Sequence, residues 1–389
     1  MTVLTGAHVP KRTLAYEDLG LLAAGAWVLG TGGGGNPYYN LVAIKHLYRQ
    51  GHSVNLIQPD ELADDALVAL VSFQGAPLVG IERLPDATRL MKAMALMERH
   101  LDRKFDAVMS MEIGGSNGVL PLLAAAVTGL PVVDADAMGR AFPDVSKTCF
   151  AVHDLSPGPI AIHDIRENGV IMDPIEDWFW AERISRKVVT EMGSTASTCK
   201  APRSGAEVKS MGIHGSVSRA IAIGQTLVQA KADHRDPIAA LLDLEDGLLL
   251  YLGKITDTER KTTEGFLRGH VDIEAVSDAS SNQLIQQEKA SPAAASAKKL
   301  RIEFQNEFSV ARLEETVIAT VPDLICVLDR ETGEAIGTES LRYGQRVAVI
   351  ALPSPPVFTS EKGLQHAGPR AFGFDLDFVS PFANSKEMS

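Results

Sequence analysis

Hydrophobic residues in the first 165 positions form short apolar runs that alternate with stretches of helical spacing. Runs with the length of buried strands lie at 26–29, 54–57, 66–73, 105–111 and 131–133. Apolar residues recur at helical spacing at 16–24, 37–50, 90–101 and 119–128. Alternating strands and helices predict a mostly parallel sheet between two layers of helices, so residues 1–165 are predicted to form a three-layer α/β domain.

The pattern changes in the remainder of the chain, residues 166–389. The segment Asp173-Pro174-Ile175-Glu176 resembles a capped helix start and predicts a helix to about Met192, and a second helix is predicted at 216–230. Later β-type runs, separated by Gly, Asp and Pro, lie at 248–252, 269–275, 300–308, 316–321, 324–328 and 346–352. This pattern is typical of a mostly β second domain, with an exposed turn at 291–297.

Charge and composition narrow the class of protein. The net charge of −12 argues against nucleic acid or an anionic membrane as a partner. Residues 19–44 carry no charge, but four consecutive glycines, Asn36 and Pro37 interrupt them, so they do not predict a membrane span. The N-terminus has no signal pattern, and the three cysteines (Cys149, Cys199, Cys326) stand far apart. We therefore expect a reduced, cytoplasmic protein that binds a small molecule, and we expect it to be a homo-oligomer.

A glycine-rich loop, residues 30–36 (GTGGGGN), lies between a predicted strand and a helix that starts at Pro37 with Asn36 as its N-cap. It formally fits the dinucleotide fingerprint GxGxxG, although the last glycine precedes the helix and no acidic residue ends the next strand. More generally, free N–H groups at a helix N-terminus suit a carboxylate, or the oxygen or sulfur of a reacting carbonyl or thiocarbonyl. The predicted substrate-binding residues of this loop are Thr31, Gly32, Gly33, Gly34, Gly35 and Asn36.

Polar residues also follow two predicted strands. Glu112 and Asn117 come after the strand at 105–111, and Asp134, Asp136 and Arg140 come after the strand at 131–133. Because parallel strands end at the same edge of a sheet, we expect these side chains to gather at one rim.

The chemistry of this rim has several interpretations. The three carboxyl groups are acid–base candidates, because crowded carboxylates push one another's pKa values apart. They can equally hold a divalent metal such as zinc. Alternatively, either aspartate caps a following turn and Arg140 neutralises it. The amide of Asn117 suits an imide or hydantoin edge. In the second domain, Lys254 and Asn306 are candidates to bind a substrate carboxylate.

Several motifs carry a family resemblance. They are LGTGGGGNPY at 29–38, EIGGSN at 112–117 and LPVVDADAMGRAFP at 130–143, with shorter matches at 253–255, 304–307, 322–325 and 341–344. Over nearly its whole length the chain resembles the S-methyl thiohydantoin desulfurase family. The resemblance implies a C-terminal β-rich, barrel-like domain and hydrolytic removal of sulfur from a thiohydantoin-type ring. A relative in ergothioneine breakdown makes 3-(5-oxo-2-thioxoimidazolidin-4-yl)propionate a candidate substrate.

The resulting hypothesis is hydrolytic. Asp134 or Asp136, with Glu112 as the other candidate, activates water, and a second carboxyl group protonates the departing sulfide. The glycine loop and Asn117 hold the ring and the developing charge. Two alternatives stay open: a hydantoin or cyclic-imide C–N hydrolase, and a non-catalytic protein that binds a nucleotide or another small molecule through the glycine loop.

Overall fold

The computed structural model describes residues 12–75, 79, 87–263, 265–275 and 299–383, and two sheets organise them. The strands of the first sheet are β1 (Arg12–Thr13), β2 (Asn55–Ile57), β3 (Leu67–Gly75), β4 (Ala107–Ser110), β5 (Val132–Val133), β7 (Ile160–His163), β8 (Gly169–Met172), β9 (Thr195–Lys200) and β10 (Arg203–Ser204). A separate short pair is β6 (Ala135–Asp136) with β11 (Ile213–His214). The described helices are α1 (Tyr16–Leu29), α2 (Tyr38–Arg49), α3 (Ala87–Leu101), α4 (Ser116–Thr128), α5 (Cys149–Val152), α6 (Trp178–Glu191), α7 (Gly205–Met211), α8 (Ser216–Ala232), α9 (Pro237–Leu244), α10 (Pro356–Thr359) and α11 (Glu361–Ala367).

The first sheet has the order β1-β2-β5-β4-β3-β9-β7-β8, and β10 also pairs with β3. The strands β2, β5, β4 and β3 are parallel, whereas β9 and β7 continue the sheet antiparallel to their neighbours. Successive residues of β4 point to different cores: Val108 packs into one hydrophobic cluster, and Ala107 and Met109 into the other. The predicted three-layer α/β arrangement is confirmed.

The predicted strand at 26–29 is wrong, because these residues form the last turn of α1. A short run of apolar residues does not distinguish a buried strand from a buried helix. Helix α1 is buried on several sides, and a Cβ on Gly25 would lie 1.8 Å from the carbonyl oxygen of Ala220 in α8. The glycine loop therefore joins two helices, so the dinucleotide fingerprint lacks the strand that should precede it.

Two helix starts also differ from prediction. Helix α2 begins at Tyr38, whose N–H donates to Asn36 Oδ1 at 2.9 Å. Helix α6 begins at Trp178, later than the predicted start, because Asp177 is the residue whose side chain accepts from Trp180 N.

The second sheet contains β12 (Leu248–Thr263), β13 (Phe266–Ala275), β14 (Lys299–Gln305), β15 (Glu307–Leu313), β16 (Thr316–Thr320), β17 (Leu324–Asp329) and β18 (Arg346–Leu352). It is antiparallel, in the order β16-β15-β14-β13-β12-β18-β17, and it curls into a half-barrel, which confirms the barrel-like expectation. One face encloses a core with Leu250 and Phe308, and Cys326 on the other face joins the core that contains α1. The predicted turn at 291–297 lies outside the described residues.

The domain boundary after residue 165 stays a prediction. It falls inside the first sheet, between the paired strands β7 and β8. Strand β9, from beyond that boundary, pairs with β3 on one side and β7 on the other.

Candidate functional site

A cavity of about 190 Å³ lies where the first sheet meets the half-barrel. Its walls come from the glycine loop, the C-terminal ends of β3 and β4, helix α6, the end of β9 and the turn between β14 and β15. This is the carboxyl edge of the parallel strands, where α/β folds place ligands.

Glu112 follows β4 and faces this cavity. Asn117 Nδ2 donates to its Oε1 at 2.5 Å, and Phe142 N donates to its Oε2 at 3.0 Å. Burial raises the pKa of Glu112 to about 7, and the nearby Asp136 carboxyl group adds a smaller rise. The two hydrogen bonds and the Lys200 ammonium lower the pKa but do not cancel the effect of burial. A carboxyl group that titrates near neutrality can work as a general base.

Lys200 ends β9 and was missed from the sequence. Its side chain is 2% exposed and lines the cavity, and among the described residues it makes no hydrogen bond or ion pair through its ammonium group. Burial lowers the pKa of Lys200 to about 8, although Glu182 and Glu112 oppose the shift. A buried lysine without an ion pair is rare and marks a functional candidate. A lysine that ends the run TASTCK carries no motif, so nothing in the sequence singled it out.

Glu307 faces the cavity from the turn between β14 and β15. Burial, and then repulsion by Glu112, raises the pKa of Glu307 well above its usual range, while Arg140 opposes the rise. A Cβ on Gly33 would lie 2.0 Å from Glu307 Oε1, so only glycine leaves room for this carboxyl group. Both Asn306 and Glu307 lie in the motif FQNE, but the sequence predicts a binding role for Asn306 alone.

The glycine loop has two parts. Gly34, Gly35 and Asn36 line the cavity, and within the described ranges no group accepts the N–H of Gly35 or Asn36. Thr31 and Gly32 instead tie the loop to the half-barrel, through Phe308 N donating to Thr31 O and Thr338 N donating to Gly32 O, each at 2.8 Å. Gly34–Asn36 is therefore the part of the loop that can contact a ligand.

Two predicted binding residues hold other parts of the site in place. Asn117 Oδ1 accepts from Phe73 N at 2.8 Å while its amide nitrogen donates to Glu112, so it fixes this carboxyl group. Asn306, in the left-handed region with φ of 59°, accepts from Leu267 N at 2.8 Å and shapes the turn that presents Glu307. Both line the cavity.

The expected gathering of acids at one rim is only partly seen. Asp134 does not line the cavity: it accepts from Ser218 N at 3.0 Å and Gln58 Nε2 at 3.1 Å, near the start of α8. The main-chain oxygen of Asp134 accepts from Gly215 N at 2.7 Å, so this residue is held against the segment that leads into α8. Asp134 therefore caps the first turn of the distant helix α8 rather than a turn that follows it in the sequence, and Arg140 does not donate to it.

Asp136 also lies behind the cavity rather than in its wall. Its Oδ2 accepts from the backbone N–H groups of Ile113, Met138 and Gly139, between 2.8 and 3.2 Å. Burial raises the pKa of Asp136 to about 7 despite these donors. It holds the segment that contains Glu112 against the segment that contains Phe142, which is a positioning role.

Arg140 and Lys254 do not reach the cavity either. Arg140 is fully buried, and its guanidinium donates to the carbonyls of Pro322 and Asp323 at 2.9 Å and to Thr31 Oγ1 at 2.7 Å. It joins the two parts of the chain behind Glu307. Lys254 lies over the ring of Tyr343, on the half-barrel.

One group in the described part of the chain has metal-ligand spacing: Asp257, His270 and Asp272, with ligand atoms within 4.8 Å of one another. None of the three lines the cavity. Asp272 already pairs with Arg301 at 2.6 Å and with Lys299 at 2.8 Å. Burial raises the pKa of Asp272, but these two cations outweigh it and lower the pKa to about 2. Two cations on one of the three ligands do not suit a divalent ion, so a metal such as zinc stays a prediction.

Among the helices of the described residues, none combines the length and the apolar content needed to cross a bilayer.

Fold and cavity together define a two-part α/β protein with an enzyme-like site at the junction of its parts. Two family models match the chain: "S-Me-THD-like, N-terminal domain" over residues 17–174 and "S-Me-THD-like, C-terminal domain" over residues 176–381. The chain therefore belongs to the S-methyl thiohydantoin desulfurase family, as the motifs indicated. No curated protein shows significant similarity to it.

Among solved structures, a protein from Chromobacterium violaceum matches with a TM-score of 0.74 and 23% sequence identity, over 95% of this chain and 99% of that one. At this identity the likeness supports the fold alone. The family is consistent with a thiohydantoin-related enzyme.

Proposed function

We propose that the protein hydrolyses the carbon–sulfur bond of a thiohydantoin-type ring, which yields the hydantoin and hydrogen sulfide. The observation that carries this proposal is the presence of Glu112, Lys200 and Glu307 in the wall of one cavity, beside free N–H groups of the glycine loop. Family membership supplies the ring class, with 3-(5-oxo-2-thioxoimidazolidin-4-yl)propionate as the first substrate to test.

In the first step Glu112, as a carboxylate, removes a proton from water while the water oxygen bonds to C2 of the ring. The electron pair of the C=S double bond moves to sulfur, which becomes a thiolate. The N–H groups of Gly35 and Asn36 and the Lys200 ammonium can stabilise this charge, because a dry, preorganised site strengthens such contacts. Burial and repulsion by Glu112 raise the pKa of Glu307 and favour its protonated form, so the two glutamates need not both carry charge.

In the second step the Lys200 ammonium first donates a proton to the thiolate, which becomes a thiol. The neutral Lys200 amine then takes the proton of the new hydroxyl group as C=O forms and the C–S bond breaks. The departing HS⁻ takes the proton that Glu112 removed from water, so hydrogen sulfide leaves and both Glu112 and Lys200 regain their starting protonation states. Asn117, Asp136 and Arg140 act through Glu112 and Glu307, and they need not touch the substrate.

Sulfide release tests the proposal directly. The rate should be highest between the pKa of Glu112, about 7, and that of Lys200, about 8, because the base must be ionised and the acid protonated. Glu112→Gln should lower kcat by roughly a hundredfold to ten-thousandfold. The exposed Glu331→Gln, which changes the same atoms, should retain full activity.

The products separate the alternatives. A ring-opened product without sulfide would identify a C–N hydrolase. Ligand binding with no turnover would leave a binding protein. Full sulfide release by a folded Glu112→Gln variant would overturn the assigned base.

A further inference from the structure

Two buried amide side chains in the cavity wall leave their carbonyl oxygens without a hydrogen-bond partner among the described residues. They are Asn40 in the first turn of α2, which is 0% exposed, and Gln74 near the end of β3, which is 6% exposed. Buried polar atoms in folded proteins are nearly always paired, so two in one cavity require an explanation.

Hydrogen bonding fixes which end of each amide is unpaired. Asn40 Nδ2 donates to the main-chain oxygen of Ser116 at 3.0 Å, and a carbonyl oxygen can only accept. Gln74 Nε2 donates to Ser185 Oγ at 3.0 Å, and the Ser185 hydroxyl in turn donates to Glu182 O at 3.2 Å. Exchanging the oxygen and nitrogen of either amide would break these bonds. Asn40 Oδ1 and Gln74 Oε1 are therefore acceptors that need a donor from the cavity.

We propose that Asn40 and Gln74 are specificity-determining residues that accept hydrogen bonds from ring N–H groups of the substrate. The inference rests on the proposed function for the class of ring, and it adds a requirement: the heterocycle must carry unsubstituted nitrogen.

The energetic basis is an asymmetry between ligands. The two oxygens are buried without a partner among the described residues of the ligand-free fold, so each has an unmet hydrogen-bond requirement. A ring with N–H groups supplies the missing donors. An N-methylated ring leaves an acceptor buried without a donor, which is the situation that gives strong discrimination.

The test measures binding rather than turnover. Hydantoin, 1-methylhydantoin and 3-methylhydantoin are titrated calorimetrically into the full-length protein and its variants. The wild type should bind hydantoin roughly tenfold to a hundredfold more tightly than at least one methylated ring. Gln74→Met and Asn40→Leu, which keep the size of the side chain but remove the acceptor, should each weaken hydantoin binding and reduce this discrimination.

Matched variants separate recognition from damage. Gln74→Glu and Asn40→Asp keep an oxygen at each position and should retain the preference for N–H rings. Gln50→Met, on the exposed end of α2, should bind all three rings as the wild type does. Far-ultraviolet circular dichroism checks that each variant is folded, and the Gln74 pair still tests the inference if the Asn40 variants do not fold.

Equal affinity of the wild type for methylated and unmethylated rings would overturn the inference. So would full discrimination in both variants that lack the acceptor. Sulfide release without N–H selectivity would overturn this inference alone, whereas N–H-selective binding without sulfide release would overturn the proposed function alone. Failure to bind any of the three rings would overturn this inference, and sulfide release would then decide the proposed function by itself.

Discussion

At the scale of single residues, burial of the Lys200 ammonium group in the cavity wall should lower the free energy of unfolding. Burial lowers its pKa from 10.5 to about 8, so between these values the unfolded chain binds more protons than the folded one. Stability therefore rises with pH across this window, and at neutral pH the destabilisation is fully present. A shift of this size corresponds to on the order of 3 kcal/mol.

Lys200→Met should consequently raise the free energy of unfolding at pH 7 by up to about 3 kcal/mol while abolishing turnover. Denaturant unfolding at pH 7 and pH 10.5 checks the first part, because the gain should shrink at the higher pH. Sulfide release checks the second. A variant that is both less stable and fully active would show that Lys200 is a packing residue.

Glu112 gives the opposite dependence on pH. Its pKa rises from 4.5 to about 7 on folding, so the folded protein binds more protons in this window and loses stability as pH rises through it. The Glu112→Gln variant does not titrate in this window. The difference in unfolding free energy between the variant and the wild type should therefore shift in favour of the variant by on the order of 3 kcal/mol as the pH rises from 4.5 to 8. The difference in unfolding free energy at several pH values measures this. A difference that does not change with pH would mean that Glu112 is ionised normally in the fold.

The sequence identified some of these residues and could not identify others. Glu112 and Asn117 follow the parallel strand β4 within seven residues, so strand order alone brings them to the cavity. Lys200 arrives on an antiparallel strand and Glu307 on a turn of the other sheet, and no local pattern reports such long-range pairing. Like Glu112, Asp134 follows a parallel strand, so the sequence predicts the same place for both. Only the structure shows that Asp134 caps the first turn of α8.

At the scale of elements, helices α1 and α8 pack closely because Gly25 of α1 has no side chain between the two backbones. A Cβ on Gly25 would lie 1.8 Å from Ala220 O, whereas a Cβ on Gly20 of the same helix would meet only Lys45 Nζ at 3.7 Å. Gly25→Ala should therefore destabilise the fold by about 1–3 kcal/mol through overpacking. Gly20→Ala should stabilise it by about 0.5–1 kcal/mol, because alanine favours the helix.

Urea unfolding of the two variants checks this matched pair. Equal effects at both positions would show that α1 and α8 can move apart without loss. The same contact explains the misassigned strand at 26–29. A helix buried on several sides shows no amphipathic stripe, so its apolar residues resemble a strand until the partner helix is known.

At the scale of the whole molecule, the two family domains share a sheet as well as a cavity. Strand β9 belongs to the region 176–381, yet it lies between β3 and β7 of the region 17–174. Arg140 donates across the junction to the carbonyls of Pro322 and Asp323, and the glycine loop accepts from Phe308 and Thr338. Removing the C-terminal domain would leave the β3 edge that pairs with β9 open and the Arg140 guanidinium without the carbonyls of Pro322 and Asp323, and removing the N-terminal domain would leave those two carbonyls without this donor.

The intact chain should therefore unfold as one cooperative unit. Calorimetry should show a single transition whose calorimetric and van't Hoff enthalpies agree, and circular dichroism and tryptophan fluorescence should report the same midpoint. Separate fragments 12–174 and 176–383 should lack cooperative transitions of their own, because each keeps only part of the shared sheet. Mixing them should restore a transition if the β3–β9 pairing re-forms. Independent cooperative folding of either fragment would show that the junction is a docking contact between autonomous domains, and the proposed joint action of Glu112 and Lys200 would then depend on domain closure.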